Sequence, residues 1–207
     1  MADKTLNFYA YGLQGDTTLL FMFEPPKSSK LYIDQFPVAW KVVTFRAGGH
    51  AKATVQYIAR LAFGYAQIND ENLVDSASWV EVMSGDISSI TGASGQKRFG
   101  NVSKGNNTKL LVCKNNTTER ADLSIGFVKG SDIDQRYEPT LVWTGVGSKS
   151  NVTAQFTPTL KAYILRGEIE TDAIWTCDLN ELDDVTGWNF YEDDDSGAFV
   201  IEAANSI

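Results

Sequence analysis

The sequence predicts an all-β protein: a two-sheet antiparallel sandwich of about ten to twelve strands, with one short helix at most. Three observations carry that expectation. Apolar runs with strand-like alternation recur at short spacing, punctuated by Gly, Pro, Asn and Asp. No helix-period pattern separates successive runs, which argues against a parallel βαβ sheet. No repeat of fixed period stands out, which argues against a propeller. A chain of 207 residues fits one domain, residues 1–207, because β-sandwiches often reach this length as a single unit.

The elements follow in order. Residues 6–13 alternate and are aromatic; Gly15-Asp16 turns them into 19–23, which Pro25-Pro26 stops. Residues 38–46 carry apolar bulk on both faces, the mark of a central strand. After Gly48-Gly49, residues 51–67 read as one long half-buried strand, with Tyr57, Ala59, Leu61, Phe63 and Tyr65 on one side. Its β-branched and aromatic residues, and Gly64, favour strand over helix. Residues 69–79 are the one helical candidate, with Asp70 as cap. Residues 84–107, rich in Ser, Gly and Asn, read as an irregular excursion with one short strand; it is either a functional loop or a surface insertion. Strands resume at 109–114, 123–129, 140–144, 152–157 and 159–166. Pro158 has no N–H and belongs at a strand end or edge. Residues 171–179 and 197–203 complete the set, with an acidic connector, 178–197, between them.

From residue 167 to 207 there are 12 Asp and Glu and no Lys or Arg, against 26 acids and 18 bases overall. Acidic tails that stay disordered lack apolar surface to bury. This end holds Trp175, Trp188, Phe190 and Tyr191, so it is expected to fold. Its carboxylates then face water, a cation or the basic remainder of the chain. The net charge of −8 and the scattered bases exclude nonspecific nucleic-acid binding. The first residues lack the features of a signal peptide. The longest apolar run, 19–23, is too short to span a bilayer. A cytoplasmic protein is expected, with Cys113 and Cys177 as buried thiols rather than a disulfide.

The motifs of catalysis fail in turn. His50 is the single histidine, so multi-histidine zinc sites lack ligands and a triad is limited to His50 as its base, against the competing reading of a plain surface residue. No G-x-S-x-G, G-x-x-x-x-G-K-[ST] or G-x-G-x-x-G occurs. Carboxylates paired only in space stay open, but the chain reads as non-enzymatic. Residues 192–197 approach a calcium loop: Glu192, Asp194 and Ser196 stand at positions 1, 3 and 5, with Gly197 at 6. The departures are Glu at position 1, no acid at position 12 and no flanking helices, and a solvated turn is the competing reading.

Aromatic residues form the other constellation. Trp40, Tyr57, Phe63, Tyr65, Trp143 and Tyr163, with Trp175, fall on expected strands. They either pack the core or wall a ligand cavity, where Lys41, Arg46, Arg60 and Arg166 would pair with an acidic group on the ligand.

Five segments resemble a group of β-rich mushroom proteins without assigned activity, which includes a pink chromoprotein of oyster mushrooms. They are 45–50 (Phe-Arg-Ala-Gly-Gly-His), 61–67 (Leu-Ala-Phe-Gly-Tyr-Ala-Gln), 111–117 (Leu-Val-Cys-Lys-Asn-Asn-Thr), 125–128 (Ile-Gly-Phe-Val) and 137–143 (Tyr-Glu-Pro-Thr-Leu-Val-Trp). The likeness spans about residues 38–175. It implies a β-rich protein that binds a polyene-type chromophore noncovalently, and it supplies no site residues. The leading functional expectation is therefore a non-enzymatic binder of an apolar, conjugated small molecule. The alternatives are a carbohydrate-binding lectin, with or without calcium, and a structural or pore-forming protein. Exposed sheet edges need cover, which admits a homodimer.

Overall fold

The computed structural model describes residues 3–26, 33–68, 74–93, 95–106, 109–166, 168–169 and 172–204. The chain begins with β1 (Lys4–Tyr11), β2 (Thr17–Phe23), β3 (Gln35–Pro37), β4 (Lys41–Phe45), β5 (Ala51–Tyr57) and β6 (Leu61–Ile68). Next come β7 (Val74–Glu81), β8 (Asp86–Thr91), β9 (Arg98–Phe99), β10 (Ser103–Lys104), β11 (Leu111–Asn115) and β12 (Ala121–Lys129). It ends with β13 (Arg136–Val146), β14 (Asn151–Ala154), β15 (Thr159–Arg166), β16 (Glu168–Ile169), β17 (Trp175–Asp178), β18 (Val185–Glu192) and β19 (Phe199–Ala203). Two 3-10 turns, Asp132–Asp134 and Leu179–Glu181, are the helical elements among the described residues.

The all-β expectation holds, and the chain falls into two compact units where the sequence suggested one domain. The first unit is Met1–Glu24, Ala39–Ala59 and Thr157–Ile207; the second is Pro25–Val38 and Arg60–Phe156. Each contains two sheets. In the first unit these are β19-β18-β1-β5 and β16-β15-β2-β4, with β17 also on β15. Aromatic rings fill the space between them: Phe8 meets Phe21 at 4.9 Å between centroids, and Phe45 meets Phe190 at 5.4 Å. Phe8, Phe21 and Phe190 are fully buried. Burying each such side chain is worth roughly 1.5–3 kcal/mol.

The second unit holds β10-β8-β11-β14, with β9 also on β8, and β3-β13-β12-β6-β7. Its strand order repeats that of the first. Each unit has one sheet with a parallel pair, β1 with β18 and β8 with β11. The other sheet matches even in register. Leu160, Ala162 and Ile164 face Phe23, Phe21 and Leu19, while Leu61, Phe63 and Tyr65 face Phe127, Ile125 and Leu123. The second unit adds one strand, β3, beyond β13.

Several expected elements are corrected. Residues 38–46 are no central strand: β4 lies at a sheet edge, and Val42 is 60% exposed. The run 51–67 divides into β5 and β6, which belong to different units. The helix expected at 69–79 is replaced from Val74 onward by β7, since pairing with β6 satisfies its backbone; Asn69 and Asp70 lie outside the described residues. The excursion 84–107 contains three strands. The acidic connector is itself a strand, β18, at the middle of its sheet. Gly15-Asp16 does not close a hairpin, because β1 and β2 lie in different sheets. Pro158 does precede a strand, β15, and its carbonyl accepts from Leu179 N at 3.0 Å.

Backbones approach most closely where β12 bulges between Ile125 and Gly126. A Cβ on Gly126 would lie 2.1 Å from the Glu138 carbonyl oxygen and 2.7 Å from Pro139 Cα. Neither backbone atom can turn aside. Gly126→Ala is therefore expected to destabilise the second unit by about 3 kcal/mol, as overpacking does, measured as a lower urea midpoint at unchanged m-value.

Candidate functional site

The aromatic candidates are divided between the two units. Trp40, Tyr57 and Tyr163 belong to the first unit; Phe63, Tyr65 and Trp143 belong to the second. Trp40 and Tyr57 pack with Phe23 as a core cluster, at 5.0 Å and 5.9 Å. Burial drives the Tyr57 phenol well above its usual range, with the Asp3 carboxylate adding to the effect. Phe63 is fully buried, 6.4 Å from Trp143. Tyr65 is half-buried beneath Lys97, whose Nζ lies 5.0 Å from the ring centroid. Tyr163 is half-buried opposite Leu20. Trp175 packs against Phe8 and Trp188. Of the proposed basic partners, Arg60 is held by Glu81 and the Gly130 carbonyl, and the Arg166 side chain lies outside the described residues.

Trp143 alone among these aromatics also lines an open cleft, of about 420 Å³, in the second unit. Strand β3 makes one wall: Gln35 pairs with Trp143, and the Asp34 carbonyl accepts from Thr144 N at 2.9 Å. The hairpin from β13 to β14 makes the other, presenting Thr144, Asn151 and Thr153. The lining is thus hydroxyl, amide and carboxylate around one indole. Gln35 is 4% exposed and lines the cleft. A carboxamide in a cleft lining offers both a donor and an acceptor to whatever enters.

The hairpin wall is fixed from below by Asn115, which is fully buried at the end of β11. Its Nδ2 donates to the carbonyls of Glu119 and Val146, both at 2.8 Å, and of Gly147 at 3.2 Å. Its Oδ1 accepts from Thr117 N and Thr117 Oγ1. Its backbone carbonyl takes Lys149 N at 2.7 Å, and Lys149 sits at φ 61 in the turn. One side chain therefore ties the β11–β12 loop to the hairpin. Asn115-Asn116-Thr117-Thr118 reads in sequence as a plain turn. Gln35, Asn115, Asn151 and Thr153 were not singled out there. Their signal, a polar side chain on a short strand or turn, is common to every surface.

The candidate calcium loop closes on itself. Asp193 Oδ1 accepts from Ser196 N and Ser196 Oγ, and Gly197 N donates to the Asp193 carbonyl at 2.8 Å. Glu192 Oε2 accepts from Gln14 N at 3.1 Å, and Asp194 is exposed. Among the described residues no three His, Cys, Asp or Glu side chains are grouped to hold a metal. The Ser196 hydrogen bonds hold the Asp193 carboxyl below the usual range. His50 is exposed beyond the β4–β5 turn, its ring 6.1 Å from that of Tyr11. Both cysteines are free. Cys113 is buried, and burial pushes its thiol up to about 11; Cys177 is half-buried and also stands at about 11, through burial and then the neighbouring Asp178 and Glu181. No described helix is long and apolar enough to cross a membrane.

Comparison with family models, curated proteins and solved structures returned no match.

Asn115→Ala orphans three carbonyls and loosens the hairpin. A loss of about 3 kcal/mol is expected from the hydrogen-bond ledger, read as a lower thermal midpoint. Asp193 contributes stability above the unfolded carboxylate range and loses it as pH falls through its depressed folded pKa. Asp193→Asn should therefore flatten the acid limb of the melting temperature against pH, and leave the limb above pH 7 in place.

Proposed function

We propose that the protein is a non-enzymatic binding protein whose cleft in the second unit takes a small hydroxyl-rich ligand, of the carbohydrate class, without calcium. The observation that carries this reading is the polar lining of the cleft, where Gln35, Thr144, Asn151 and Thr153 surround the indole of Trp143. An amide both donates and accepts, as sugar hydroxyls do, and an indole beside it offers an apolar face. The cleft's size falls in the range of small-molecule sites. An apolar conjugated ligand, the class implied by the mushroom-group resemblance, would be recognised by aromatic faces instead. Trp40, Tyr57 and Phe63 are committed to packing, and the polar lining favours hydroxyls over a polyene.

The test is a glycan array probed in chelator, followed by calorimetry on any hit. Asn151 is exposed, so Asn151→Ala should leave the melting temperature unchanged while weakening binding about 3- to 10-fold, the worth of one or two hydrogen bonds. Gln35→Ala should weaken it further. An empty array, together with a visible absorption band extracted into organic solvent from the natively purified protein, would sink this reading and restore the pigment.

A further inference from the structure

The matched strand orders have a second side, which is the sequence in which the chain lays the strands down. Strands β1, β2, β4 and β5 enter the first unit; β6 to β10, and β3 inserted between β2 and β4, enter the second. At β11 the series starts again with the units exchanged. Strands β11, β12, β13 and β14 enter the second unit, and β15 to β19 enter the first. By place in the sheet, β11 to β14 stand where β1, β2, β4 and β5 stand. Likewise β15, β17 and β18 stand where β6, β7 and β8 stand, and β19 where β9 and β10 stand. Residues 3–106 and 109–204 therefore write one strand series twice.

Side chains carry the same correspondence. Phe23 and Tyr57 meet at 5.9 Å in the first unit, and Phe127 and Phe156 meet at 5.2 Å in the second. Glu24 N donates to the Thr159 carbonyl at 2.8 Å, and Val128 N to the Arg60 carbonyl at 2.9 Å. The amino acids agree where the chain leaves one unit for the other. Gly48, Thr54, Gln56 and Leu61 recur at identical spacing as Gly147, Thr153, Gln155 and Leu160, with Phe156 in the place of Tyr57. Ile33-Asp34-Gln35 recurs as Ile133-Asp134-Gln135, in the matching connection between β12 and β13.

We propose that the chain is a tandem duplication whose two halves close each other: every sandwich takes part of its strands from each half, so the halves are obligate partners, as in a strand-exchanged dimer fused into one polypeptide. Neither half completes a sandwich alone. Residues 3–106 lack β18 beside β1 and β11 beside β8, and the second half lacks the same pairings in reverse.

The experiment uses the full chain with a protease site inserted after Asn107. After cleavage in native buffer, the halves should elute as one particle with unchanged circular dichroism. Separated in urea and returned to buffer apart, neither should refold as a monomer; mixed, they should regain the native spectrum. Halves that part in native buffer, or a half that refolds alone as a monomer, would overturn the proposal. If the insertion itself prevents folding, hydrogen exchange on the unaltered chain decides. Amides of β1 and β2 should lose protection in the same step as those of β15 and β18, and separate steps for the two halves refute it. The equivalence of the halves has its own variant, a full-length chain with residues 54–61 and 153–160 interchanged. A cooperative melt with native circular dichroism is expected, and an unfolded product counts against duplication.

Discussion

Strand β1 runs parallel to β18 along the middle of its sheet, and that pairing joins residues 5–11 to residues 185–191. Every other strand of that sheet hangs on these two: β5 on β1 and β19 on β18. Lys4 marks the start of the ladder, its Nζ donating to the Leu182 carbonyl at 2.6 Å and pairing with Asp184 at 3.1 Å. A contact so distant in sequence must bear the loop-closure entropy of nearly the whole chain before it stabilises anything. The intervening segment reduces that cost by folding on itself, since β6 to β14 belong to the second unit. High contact order of this kind predicts slow folding. The parallel pair β8 and β11 plays the same part in the second unit across a shorter span.

Where two units share one plan, their differences point to function. Thr17 faces Phe45 and its counterpart Ala121 faces Val146, so Phe45 corresponds to Val146 across a bulge between Ala121 and Leu123. Phe45 is buried against Phe190 in the first unit. In the second, Gly145, within the bulge, takes φ 62 and its N–H is held by Asp122 at 2.7 Å. A large apolar side chain is thus replaced by a smaller one near an added tryptophan. Strand β3, which has no counterpart in the first unit, then supplies Gln35 across from it. Loss of Phe, gain of Trp and addition of a polar edge strand act on one spot. The cleft is the product of those three changes on an otherwise repeated frame.

Much of the fold was legible because period-two alternation follows directly from one-sided burial. Strands β2, β12 and β15 announce themselves this way. The misreadings have a common physical origin. Alternation cannot show where a strand changes partners, so β5 and β6 merged into one run. Strand β18 exposes or half-exposes all but Phe190, so its acids and polar residues read as connector. The duplication escaped because its identities are few and their spacing shifts along the chain: Leu19 and Phe23 recur 104 residues on as Leu123 and Phe127, Leu61 recurs 99 residues on as Leu160, and between them the core changes residues, Phe8 corresponding to Cys113 and Ala162 to Phe63. The site was illegible for another reason. Gln35 acquires meaning only from its 4% exposure and its place in the cleft lining beside Trp143, which no spacing encodes.

The acidic end, finally, has a structural account in where its strands lie. Strand β19 is a sheet edge, and edges with unpaired backbone invite association unless charge repels it. Its Glu202 is exposed, and the hairpin leading into it carries Asp194 and Asp195 on the surface. Other carboxylates do local structural work: Asp184 at the head of the β1–β18 ladder, Asp193 inside the turn, Glu192 on Gln14 N and Asp178 on Asn180 N. The corresponding edge of the second unit, β9 and β10, carries Arg98 and Lys104, and Lys104 pairs with buried Asp86 at 2.5 Å. One repeat thus guards this edge with acids and the other with bases. Equal positions with opposite charge are what two copies of a frame are free to acquire, because edge protection requires charge and is indifferent to its sign.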